Sequence, residues 1–66
     1  MPIITIEITP QPYEKKAEIA KVFTEELHRI TNIPTAPISV IFHEQSEENI
    51  ASGGVMLDVK HGKRPN

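Results

Sequence analysis

Pro2-Ile3-Ile4-Thr5-Ile6-Glu7-Ile8 decides the fold. It is β-branched almost throughout, and such side chains pack well on a pleated surface, so the stretch predicts a strand. Alternation places Ile4, Ile6 and Ile8 on one face and Ile3, Thr5 and Glu7 on the other. Thr9-Pro10-Gln11-Pro12 ends it, because two prolines in three residues cannot continue a central ladder.

Pro12 suits the first turn of a helix, where a missing N–H costs nothing. Glu14 follows near the positive end of the helix dipole. From Tyr13 to Thr31 the apolar residues Ile19, Phe23, Leu27 and Ile30 recur at spacings of four, four and three. Ala20 and Val22 widen this stripe, while Glu14, Lys15, Glu18, Lys21, Glu25 and Arg29 point elsewhere. The pattern predicts an amphipathic helix of roughly five turns. Asn32 supplies a stop and Pro34 enforces it.

Thr35-Ala36-Pro37 reads as a connector, and Ile38-Ser39-Val40-Ile41-Phe42-His43 as a second strand. Glu44 to Asn49 is a polar loop, and the short mixed segment from Ile50 turns at Gly53-Gly54. Residues 57–66 read as a polar C-terminal tail. The fold class is therefore α/β: a single βαβ unit with two parallel strands and one long helix, forming one domain over residues 1–66. Its crossover is expected to be right-handed. The helix covers one sheet face and leaves the other face and both edges open. Both faces of each strand carry apolar side chains, unlike a half-exposed sheet. Edge-to-edge pairing into four-stranded dimers, with the naked faces of several dimers packed together, covers them. The expectation is a homo-oligomer larger than a dimer.

A chain of 66 residues is a thin domain. At about this size folding buries only ~60% of the unfolded surface, so a staple is usual. Cysteine is absent, which excludes disulfides and thiolate metal sites and favours a cytoplasmic setting. His28, His43 and His61 are scattered, so no metal is expected. Association is the staple that remains. The net charge is −2, and seven Lys and Arg are interleaved with nine acids. The only aromatics are Tyr13, Phe23 and Phe42, so no nucleic-acid partner is expected. No apolar run approaches the ~20 residues of a membrane span, so no membrane partner is expected either. The basic cluster Lys60-His61-Gly62-Lys63-Arg64 reads as a solvated, frayed end.

Pro2 carries the chemistry. A small second residue permits removal of Met1, and the product is a secondary amine at the head of a buried strand. An ordinary α-amino group titrates at about 7.7–8.0. An apolar pocket or a nearby cation lowers that value, leaving a neutral amine able to act as a general base on a carbon acid. The same nitrogen can attack a carbonyl to give an iminium. The ring fixes φ and holds the nitrogen in place.

These residues resemble the 4-oxalocrotonate tautomerase family. The resemblance runs through Met1-Pro2-Ile3 and its strand, the helix opening Glu14-Lys15-Lys16 and the turn Asn32-Ile33-Pro34. It continues through Val40-Ile41-Phe42-His43-Glu44 and Gly53-Gly54. It implies a hexamer built as a trimer of βαβ dimers, in which Pro2 shuttles a proton between carbons of a dienol or enol acid. No cofactor is implied. Relatives acting on diacids carry an arginine in the loop after the first strand, where this chain has Gln11 or Pro12. They carry a second at the place of Ser39, and an aromatic wall at the place of Ile50. An arginine fork grips a carboxylate with two parallel hydrogen bonds, which serine and glutamine cannot reproduce. Ile50 keeps the pocket apolar. Dehalogenating relatives use an acid at the place of Ser52, and serine does not supply it.

The residues point to Pro2 as base, and the resemblance implies that Gln11, Ser39 and Ile50 line the substrate pocket. The partner is a small-molecule keto or enol acid. Arg29 reads as a solvated cation complementing the helix dipole, and His43 as a structural or surface residue. The alternative is a tautomerase-fold assembly without turnover, serving as a structural unit or a ligand-binding oligomer.

Overall fold

A computed structural model describes residues 1–65. Strand β1 (Ile3–Ile8) is followed by helix α1 (Tyr13–Thr31) and strand β2 (Ser39–Glu44). A 3₁₀ turn (Glu47–Asn49) leads into the two-residue strands β3 (Ala51–Ser52) and β4 (Val55–Met56), then the one-turn helix α2 (Leu57–Lys60).

β1 and β2 pair in parallel, with Ile3 opposite Ser39 and Ile8 opposite Glu44. The expected βαβ unit is present. β2 starts one residue later than the pattern suggested, because the Ile38 N–H turns back to the carbonyl of Thr35. Ile38 is the one buried apolar side chain among the described residues.

Helix α1 has the expected limits. It opens at Pro12, whose carbonyl accepts from the N–H groups of Lys15 and Lys16. It closes at Asn32, which adopts the left-handed conformation (φ 62°) that asparagine tolerates better than most residues. The Asn32 N–H returns to His28 O at 2.8 Å. His28 Nδ1–H then donates to Ile33 O at 2.7 Å, tying the first residue beyond the cap to the last turn.

The strand alternation matches expectation: Ile4, Ile6 and Ile8 are half-buried under α1, while Ile3, Thr5 and Glu7 are exposed. The helix stripe differs. Lys16, Ile19, Ala20, Thr24 and Leu27 are half-buried, whereas Phe23 and Ile30 remain exposed. Two strands are narrower than the apolar arc of α1, so its flank overhangs the sheet.

The single chain therefore has almost no interior. Its radius of gyration is 15.7 Å, against about 11 Å for a compact chain of this length. Its accessible surface is 4,958 Å², against roughly 4,200 Å² for a compact 7.4 kDa protein.

The C-terminal part corrects the expected polar tail. Gly53 and Gly54 both have positive φ (62° and 83°), as a two-residue hairpin turn between β3 and β4 requires. Residues 57–60 are helical rather than tail. Asp58 is buried there, and Leu57 and Val59 are half-buried.

Candidate active site

Pro2 is half-buried immediately before β1. Its carbonyl accepts the N–H of Ser39 at 3.0 Å, extending the parallel ladder by one bond. Pro2 and Ser39 thus meet at the N-terminal end of the two strands.

Gln11 lies at the other end. Its backbone N–H donates to Glu44 Oε2 at 2.8 Å, and its side-chain amide donates to Thr9 O at 3.2 Å. The five residue steps of β1 between the two ends span about 17 Å. Lys16 Nζ reaches the second carboxylate oxygen of Glu44 at 3.0 Å. The Gln11 N–H first, and Lys16 next, hold the Glu44 carboxyl below its ordinary range. Ile50 lies beyond the C-terminal end of β2, half-buried, with its backbone engaged on both sides. Its N–H donates to Glu47 O at 3.4 Å and its carbonyl accepts from Leu57 N–H at 2.8 Å. One chain therefore brings together Pro2 and Ser39, but not Gln11 or Ile50.

A cleft of about 520 Å³ opens beside the C-terminal end of β1, between Thr9–Pro10 and the segments carrying Glu47, Asp58 and Arg64. Its rim is charged and internally paired. His61 Nδ1 approaches Glu47 Oε2 at 2.6 Å. Lys63 Nζ stands 2.8 Å from Glu47 Oε1 as an ion pair off hydrogen-bond alignment. Lys63 and then His61 hold the Glu47 carboxyl below its ordinary range. Arg64 Nε donates to Asp58 Oδ2 at 2.6 Å, and Nη2 reaches Glu48 at 3.5 Å. The Asp58 carboxylate raises the Arg64 guanidinium above its usual value.

The basic cluster is thus a paired element, not the frayed end its composition suggested. Sequence reasoning missed it because the partners lie 6 to 16 residues apart, with no periodicity to mark them. The available signal was sign: Glu47, Glu48 and Asp58 precede the four basic side chains of Lys60, His61, Lys63 and Arg64.

Two other side chains weighed from the sequence are also paired. Arg29 is exposed and forms a two-pronged contact with Glu26, at 2.9 and 3.0 Å. His43 Nδ1 lies 2.9 Å from Glu7 Oε1 on the sheet face that α1 leaves bare. Among the described residues no group of three or more His, Cys, Asp or Glu is arranged to hold a metal ion. No helix among them is long and apolar enough to cross a membrane.

Comparison with known proteins agrees with the βαβ fold. No curated protein matches the sequence. A solved 4-oxalocrotonate tautomerase homologue (TTHB242) is 29% identical, covering 88% of this chain and 94% of its own, with a TM-score of 0.81. TomN, a homologue from the tomaymycin biosynthetic pathway, is 20% identical over 98% and 100% of the two chains, with a TM-score of 0.88. A heterohexamer 4-oxalocrotonate tautomerase from Chloroflexus aurantiacus J-10-fl is 22% identical over 86% and 94%, with a TM-score of 0.79. The family model described as tautomerase enzyme matches residues 2–60, starting at the proline and ending with α2. By that match this chain belongs to the tautomerase family.

Proposed function

We propose that this protein is an isomerase that moves a proton on a small enolisable keto acid, with the ring nitrogen of Pro2, freed by removal of Met1, as the base. The observation that carries the reading is the placement of Pro2. It is half-buried, tied through its carbonyl to Ser39, and is the first residue of the tautomerase match. A base so placed abstracts a proton from the carbon beside a carbonyl and returns it to another carbon of the same conjugated system. No bound cofactor is needed for that transfer. The Ser39 hydroxyl and the Gln11 amide are the polar groups proposed to meet the substrate oxygens. Ile50 is the wall that keeps the nitrogen dry.

The 17 Å gap is closed by a second copy. β1 has a free edge, because the main sheet contains only β1 and β2. Two identical strands pairing across a two-fold axis must run antiparallel. If both helices lie on one side of the joined sheet, odd residues face odd and even face even, so the numbers of opposed residues add to an even total. The totals closest to the centre of Ile3–Ile8 are 10 and 12. They set the partner subunit's Pro2 opposite Ile8 or Pro10, beside the Gln11 loop and the charged cleft. The exposed face carrying Ile3 and Ile41 and the overhanging Phe23 and Ile30 then supply contacts for a hexamer.

The absence of arginine at Gln11 and Ser39 favours a second reading, a tautomerase-fold assembly that binds without turnover. The two are separated by following enol-to-keto conversion of phenylenolpyruvate and of 2-hydroxymuconate with wild type and Pro2→Ala. The proposed base predicts a loss of about 10²-fold or more on substitution. Equal rates, or a wild-type rate no faster than buffer, remove it.

A further inference from the structure

Ile50 is gripped on both sides by its backbone, and each grip ends in an ion pair. Upstream it is held by Glu47, whose side chain is only 17% exposed and receives His61 and Lys63 on separate oxygens. Downstream it is held by Leu57, the neighbour of Asp58, whose side chain is 10% exposed and receives Arg64. Three backbone bonds fold the C-terminal cations back onto α2: His61 N–H to Leu57 O, Gly62 N–H to Val59 O, and Lys63 N–H to Asp58 O at 2.8 Å. The segment His61–Arg64 therefore joins the turn before Ile50 to the helix after β4. An isolated surface ion pair holds little. Here both acids are largely withdrawn from water, and removing Arg64 leaves the buried Asp58 carboxylate without its ion-pair partner.

We propose that Arg64, acting on Asp58 together with the Lys63–Glu47–His61 group, is a positioning residue that fixes Ile50 against the partner subunit's Pro2 and so controls how strongly that ring nitrogen is desolvated. The inference rests on the site assembled under the proposed function. It assigns work to residues 61–64, which the tautomerase match, ending at Lys60, leaves out. Arg64 touches no reacting atom in this scheme. Its effect is transmitted through Asp58, Leu57 and the carbonyl of Ile50. Loosening the clasp admits water beside the nitrogen and raises its affinity for a proton. A rise of one full pKa unit removes at most about tenfold of the neutral amine near neutrality.

The test uses full-length, Met1-free protein with ¹⁵N-labelled proline and ¹³C-labelled isoleucine methyl groups, in wild type, Arg64→Ala, Arg64→Lys and Lys63→Ala. The expected result for Arg64→Ala is a displaced Ile50 methyl resonance and a Pro2 nitrogen titrating higher by about half a unit to one unit. Arg64→Lys restores both and Lys63→Ala gives a smaller change of the same sign. An Ile50 methyl and a Pro2 titration unmoved in Arg64→Ala overturn the proposal, as does a methyl that moves while the titration does not. Should Arg64→Ala fail to assemble, Lys63→Ala decides by the same two readouts. Both are independent of turnover, so a Pro2→Ala variant as active as wild type would defeat the functional reading separately.

Discussion

The N–H of Ser39 donates to the carbonyl of Pro2 at 3.0 Å, so the proposed base and the serine proposed to meet the substrate share one backbone bond. That bond fixes the start of β1 relative to β2. It also leaves the Pro2 ring nitrogen as the one backbone group of that residue not committed to the ladder.

Ser39 is proposed to meet a substrate oxygen, at the place where the resemblance to 4-oxalocrotonate tautomerases implies an arginine. Ser39→Arg is expected to lower KM for the diacid 2-hydroxymuconate by roughly tenfold, since a hydrogen bond to a charged group contributes about 1.5–3 kcal/mol. The monoacid phenylenolpyruvate should gain less. Steady-state kinetics on the pair checks this, and an unchanged ratio of the two KM values counts against it.

The proposed desolvation of Pro2 has a pH signature. The acid limb of kcat/KM for wild type is expected below the ordinary α-amino range of about 7.7–8.0. Ile50→Ser brings a polar group and water to the same wall and should move that limb upward. A limb that stays in place after the substitution removes Ile50 from the pocket.

Glu44 bridges the Gln11 N–H and Lys16, and its carboxyl sits below its ordinary value. A depressed folded-state pKa stabilises the fold above the unfolded value, about 4.3, and that contribution fades as pH falls through the folded value. Glu44→Gln should therefore lower the melting temperature at pH 7, by a margin that shrinks as pH falls below the unfolded value. Thermal unfolding of both proteins across that range is the measurement. A constant difference would show that the charge is not responsible.

Ile3 and Ile41 lie exposed on the bare sheet face, beside the Glu7–His43 pair. Ile41→Asp places an unpaired carboxylate on that face and is expected to reduce the assembly to dimers or monomers. Sedimentation velocity reads the outcome directly. An unchanged sedimentation coefficient places the subunit contact elsewhere.

Much of this architecture was legible in the residues. Period-two isoleucines gave β1, and the stop at Asn32 was readable because asparagine tolerates the left-handed cap. Ile38 misled by one position, because its side chain is buried through a turn and not through a strand. The C-terminal clasp was illegible for a different reason. Contacts such as Glu47–His61 and Glu48–Arg64 depend on how the chain returns on itself, and neither propensity nor periodicity encodes that return. Pro2 could be singled out only in its context, as a second residue leading straight into an apolar strand of a short chain. That Gln11 and Ile50 follow their strands, away from Pro2, was equally legible, whereas a linear pattern does not say which copy of a chain supplies each wall of the proposed site.

Under the proposed assembly, the unusually extended shape of the lone chain, with its 15.7 Å radius of gyration, changes what its folding equilibrium depends on. Where subunits supply one another's interior, mass action enters the stability directly. Dilution then acts as a denaturant, and the melting temperature climbs with protein concentration. For such a molecule, the amount the cell makes is as much a determinant of the native state as the sequence itself.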